Sequence, residues 1–78
     1  MAHVGNPGFN AAAITPSDTV NLGSPTRSIY VGVTGNLTVL MYGGQVVTFN
    51  NVPVGIFPIQ VLRVNATGTT ATNLVALW

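Results

Sequence analysis

Apolar and polar side chains alternate along this chain in short runs, and Gly, Pro or Asn closes each run within a few residues. Ile29, Val31 and Val33 share one side of an extended segment, and Ser28, Tyr30 and Gly32 share the other. Leu37, Val39 and Met41 oppose Thr38, Leu40 and Tyr42 in the same way, and Leu74, Ala76 and Trp78 oppose Val75 and Leu77. A period of two is the signature of a β-strand, whose successive side chains point to opposite faces. No window repeats apolar residues at the spacing of an amphipathic helix.

The pattern predicts six short strands, at residues 11–15, 28–33, 37–42, 45–50, 57–65 and 72–78. The segment 19–22 continues the first strand after a kink at Pro16-Ser17-Asp18. Thr34-Gly35-Asn36 predicts a tight turn that joins 28–33 and 37–42 as a hairpin, and Gly43-Gly44 a second turn into 45–50. Pro58 has no N–H to give a ladder, so it belongs at the start of its strand or on an edge. Turn residues recur every ~8–12 positions, the rhythm of a sandwich or barrel. The expected fold is therefore all-β: a small antiparallel β-sandwich or barrel-like domain over 11–78. Residues 1–10, which mix Gly5, Pro7 and Gly8 with polar residues, read as an N-terminal arm.

Charge changes this picture. Only Asp18, Arg27 and Arg63 among 78 residues are acidic or basic, while 47% are hydrophobic. An ordinary soluble domain has about a quarter charged residues. Lys and Glu normally wet the outer face of a sheet and guard its edges against pairing; here Thr, Tyr, Leu and Val stand there instead. The chain is also close to the lower size limit for a self-sufficient core, and it has no Cys for a disulfide. Both facts predict a homo-oligomer in which neighbours cover part of each copy.

The same scarcity bears on chemistry. One acid cannot make a carboxylate pair, and the lone His3 falls in the arm, so no catalytic residue, cofactor or metal site is expected. Two Arg are too few to neutralise a phosphate backbone, which excludes nucleic acid as a partner. No run approaches the ~20 apolar residues of a membrane span, and residues 1–9 do not have the make-up of a secretory signal. The sequons Asn36-Leu37-Thr38 and Asn65-Ala66-Thr67 are matches that a Thr- and Asn-rich chain meets by chance. Asp18 reads as a turn former whose carboxylate accepts backbone N–H groups. Phe49 and Phe57 read as core.

Five residues remain as interface candidates. Arg27 precedes a strand and suits a rim. Arg63, inside an apolar strand, must reach solvent or find a partner in its own chain or the next. Tyr30 and Tyr42 lie on the more polar strand faces, where a phenol anchors an interface or stacks on a sugar. Trp78 reads as a packing lock or as a flat platform. A carbohydrate-binding, lectin-like module is the alternative that the tyrosines leave open.

The order of motifs resembles a known family. Thr15-Pro16-Ser17-Asp18, Ile29-Tyr30-Val31-Gly32, Gly35 with Leu37, Gly43-Gly44, Thr48-Phe49, Val52-Pro53 with Gly55, Arg63-Val64, Ala66-Thr67-Gly68-Thr69-Thr70-Ala71 and Ala76-Leu77-Trp78 follow one another as in the small head-spike base proteins of tailed bacteriophages and phage-derived gene transfer agents. The resemblance runs from Ile14 to Trp78. It implies a non-enzymatic virion protein on the capsid surface, attached to the major capsid protein and carrying a head fibre. The implied assembly is a pentameric ring at a five-fold vertex, or a trimer if the protein is a capsid cement or decoration protein.

Overall fold

The computed structural model describes residues 10–78. The expected arm over 1–10, with His3, lies outside the described residues except for Asn10. Seven antiparallel strands form two sheets, the expected all-β architecture: β1 (Ala11–Ala13), β2 (Ser28–Val33), β3 (Gly35–Met41), β4 (Val46–Val52), β5 (Gly55–Phe57), β6 (Val61–Val64) and β7 (Thr72–Leu77). The first sheet has the order β1-β7-β2-β5 and the second β4-β3-β6.

The alternation read from the sequence is what holds the two sheets face to face. Ile29, Val31, Leu74 and Ala76 of the first sheet are buried together with Leu37, Val39, Val52, Val61 and Val64 of the second, and Ile14 and Ala71 close the ends. Burying each Val, Leu or Ile side chain stabilises the fold by about 1.5–3 kcal/mol relative to exposure. Phe49 and Phe57, expected in the core, flank it half-buried, with their rings edge to face at 5.1 Å.

Two expectations fail, for one reason. β2 does not form a hairpin with β3; it pairs with β7 and β5. The chain instead steps across at Thr34 from the first sheet to the second, and β3 pairs with β4 and β6. The expected single strand 57–65 is divided in the same way, with β5 in the first sheet and β6 in the second. The Ile59 N–H bonds back to the Phe57 carbonyl at 3.0 Å, across Pro58, and turns the chain between them. The first expected strand, 11–15, is shorter too, at Ala11–Ala13, and its expected continuation over 19–22 adopts no strand. The run from 17 to 26 lies along the outer edge of β6 through three backbone bonds, Ser17 N–H to Val64 C=O, Leu22 N–H to Leu62 C=O and Thr26 N–H to Val61 C=O.

The run is fastened at its end by Thr26, which is wholly buried. Its hydroxyl donates to the Ile59 carbonyl at 2.8 Å and accepts the Val61 N–H at 3.0 Å. Beyond β6, the Thr-rich loop continues the sheet with both backbone and side chains: the Asn65 N–H donates to the Thr38 carbonyl and the Thr70 and Ala71 N–H groups to the Asn36 carbonyl. The Thr69 hydroxyl accepts the Thr38 N–H at 3.0 Å, and the Thr70 hydroxyl accepts the Asn36 N–H at 2.8 Å. Gly68, at φ +90°, lies so close that a Cβ would stand 2.5 Å from the Thr38 hydroxyl. The position therefore needs glycine on both counts, backbone angle and space.

Candidate functional site

The structure gathers three of the five candidate residues. Arg27, Tyr42 and Trp78 line one concavity of about 430 Å³, together with Asn10, Pro25 and Gln60. Each wall is pinned by backbone bonds. Asn10 and Trp78 exchange both of theirs, at 2.7 and 3.0 Å. The Arg27 N–H donates to the Leu77 carbonyl at 2.7 Å, and the Tyr42 N–H to the Gln60 carbonyl at 3.0 Å. Tyr42 stands on the turn after β3, which the Gly44 N–H closes on the Met41 carbonyl. Its ring is exposed, Arg27 is exposed, and Trp78 is half-buried against the core. Trp78 is thus both a packing residue and a wall of the cleft. Asn10, Pro25 and Gln60 gave no signal in the sequence, since an amide or proline between strands reads only as a loop.

Tyr30 stands elsewhere, on the outer face of the first sheet. Its cross-strand neighbours are Ile56 of β5 and Val75 of β7, and Val75 in turn faces Ala13 of β1. Directly opposed residues share a face, so Ala13, Val75, Tyr30 and Ile56 make one uncharged outer row. Ile56 in that row is 60% exposed.

Arg63 occupies a third place. Its Nε donates to Asn65 Oδ1 at 2.8 Å and its Nη1 to Asn21 Oδ1 at 3.3 Å. The arginine in the apolar strand is therefore served by two amide oxygens of its own chain. Asp18 lies at the same corner. It does not act as a local turn former: both carboxylate oxygens are spent on Thr67, one accepting its N–H at 2.9 Å and the other its hydroxyl at 2.7 Å. The local turn belongs to Ser17, whose hydroxyl accepts the Thr19 and Val20 N–H groups. The Thr67 hydroxyl, then its N–H, hold the Asp18 carboxyl below its ordinary value, and the Arg63 charge adds to this.

Chemically, the cleft offers a guanidinium, a phenol, an indole and two amides. These groups bind and orient. Among the described residues no three of His, Cys, Asp and Glu come together as a metal would need.

A chain of the solved capsid of a native gene transfer agent (GTA) particle, computed with C5 symmetry, is similar to this one throughout. The TM-score is 0.82 at 36% sequence identity, over 92% of this chain and 84% of that one. No protein-family profile matches the chain, and no curated protein matches it in sequence.

Proposed function

The chain belongs to the same protein family as that capsid chain, and from this premise we propose that it is a non-enzymatic structural protein of a phage-like particle. It sits on the capsid exterior as an oligomeric spike base or decoration attached to the major capsid protein. The observation that carries this reading is the likeness in sequence and fold over nearly the whole chain to a component of a gene transfer agent capsid. The uncharged outer row of Ala13, Val75, Tyr30 and Ile56 supports the oligomeric part, because contiguous apolar surface of this kind marks contact with another protein. The oligomer proposed is a ring, in which one patch of each copy meets a different patch of the next.

Light scattering after gel filtration at micromolar concentration tests the assembly, and electron microscopy of particles that contain the protein tests the location. The expected results are a discrete oligomer and density on the outside of the shell. A stable monomer with no density on the shell would overturn the proposal.

A further inference from the structure

We infer that the outer edge of β4 in one copy pairs, antiparallel, with the outer edge of β1 in the next copy. The inference deepens the proposed ring, on which it rests for the identity of the partner as a second copy, and it names the two patches that meet.

The fold treats its four sheet edges differently. An open edge offers unpaired N–H and C=O groups to any other strand, so natural edges are covered, shortened or interrupted by proline. In the second sheet the β6 edge is covered by the 17–26 run. In the first sheet β5 is three residues long and stands between Pro53 and Pro58. The edges of β4 and β1 are left. β4 is seven residues without a charge or a proline, and no backbone group among the described residues bonds its outer side. β1 has three residues, but its ladder with β7 runs on through Asn10 at one end and Ile14 at the other.

The bonding pattern shows which groups face out. The Met41 N–H donates to the Gln45 carbonyl. Bonded pairs alternate from there, Val39 with Val47 and Leu37 with Phe49, so the N–H and C=O of Val46, Thr48 and Asn50 point away from β3. Asn10 and Trp78 exchange bonds, and the Ile14 N–H donates to the Leu74 carbonyl. The same groups of Ala11, Ala13 and Thr15 therefore point away from β7. Three residues on each edge match in one antiparallel register: Ala11 with Asn50, Ala13 with Thr48 and Thr15 with Val46.

The faces match as well. In that register Ala12 stands opposite Phe49 and Ile14 opposite Val47. Ala12 shares the core face with Ala76, and Phe49 and Val47 share it with Leu37 and Val39. One core face thus continues into the next, and the outer side chains stay outside. A pairing shifted by one residue would turn one face over.

The two edges also lie on opposite flanks. Ile14 is bonded to β7 and Ser17 already to β6, so β1 shares its flank with the 17–26 run. β4 shares the other flank with β5, across the short 53–54 connection. A contact between opposite flanks repeats head to tail from copy to copy, as a ring requires.

The chain has no cysteine, so an introduced pair reports the contact. Opposed, bonded residues have Cα atoms about 5.5 Å apart, within disulfide reach. Thr15→Cys combined with Val46→Cys is expected to give, on oxidation, a ladder of covalent multimers on a denaturing gel. Ala11→Cys combined with Val46→Cys, displaced by roughly 13 Å along the strand, is expected to give none. Val46 is 59% exposed, and Val46→Lys places a guarding charge on the β4 edge. It is expected to weaken assembly, followed by light scattering, about tenfold, which is about 1.4 kcal/mol, with an unchanged far-ultraviolet spectrum. No ladder from the Thr15 and Val46 pair, equal ladders from both pairs, or assembly indifferent to Val46→Lys would overturn the inference. The wild type separates it from the ring. A wild-type oligomer without the ladder sinks the paired edges and leaves the ring, whereas a monomeric wild type without the ladder sinks both.

Discussion

The two arginines of this chain carry the same charge and are treated in opposite ways. Arg63 sits half-buried at a corner that completes itself, with Asn65 and Asn21 as acceptors and Asp18 near enough to feel its field. Arg27 stands exposed beside two aromatic rings in a preformed cleft. The difference teaches that the fold uses the guanidinium of one arginine, through Asn65 and Asn21, and only the backbone of the other, whose N–H is held by Leu77.

Substitutions sharpen this contrast. The largest effect is expected at Thr26, which fastens the run connecting the two places. Thr26→Val keeps the shape but strands the buried Ile59 carbonyl and Val61 N–H, at about 1–3 kcal/mol for each unsatisfied group. Urea unfolding should show a loss of about 3 kcal/mol. Arg63→Met comes next: it removes two hydrogen bonds from a half-buried position, with an expected loss of about 1 kcal/mol in the same assay. Arg27→Gln should change stability by less than about 0.5 kcal/mol, the usual range for an exposed site. An equal loss at Arg27 and Arg63 would break the contrast.

The smallest effect is local and depends on pH. The Thr67 bonds depress the folded-state pKa of Asp18 below its ordinary value of 3.8. Its contribution is therefore present above that value and is lost as pH falls through the folded-state one. The protection of the Thr67 amide, its exchange taken relative to the intrinsic rate at the same pH, should fall on acidification below about pH 4 while the protection of Ile29 and Val39 holds. Asp18→Asn should show fast exchange at Thr67 at neutral pH already. A Thr67 amide whose exchange follows the same course in wild type and in Asp18→Asn would show that this corner does not depend on the carboxylate.

Much of this was legible in the sequence. The alternation in 28–33, 37–42 and 72–78 named the buried faces, and Ile29, Val31, Leu37, Val39, Leu74 and Ala76 are where it put them. What the pattern could not carry was sheet membership. Phe57, Ile59 and Val61 keep one rhythm across Pro58 because a chain crossing between facing sheets keeps turning its apolar side to the same core. Gly35-Asn36 announced a turn, yet a turn signal does not say whether the next strand returns to its predecessor or crosses to the opposite layer. Asp18 and Thr67 lie too far apart in sequence for a local reading to join them. Arg27, Tyr42 and Trp78 were each singled out, but only the fold makes them neighbours.

The mutual bonding of Asn10 and Trp78 has a practical consequence. The first and last described residues meet at one corner, beside the Arg27 cleft. A short linker joining the two would allow circular permutation, with new ends opened at the exposed 53–54 connection. Such permutants would carry a probe or cargo away from that corner without disturbing the buried core.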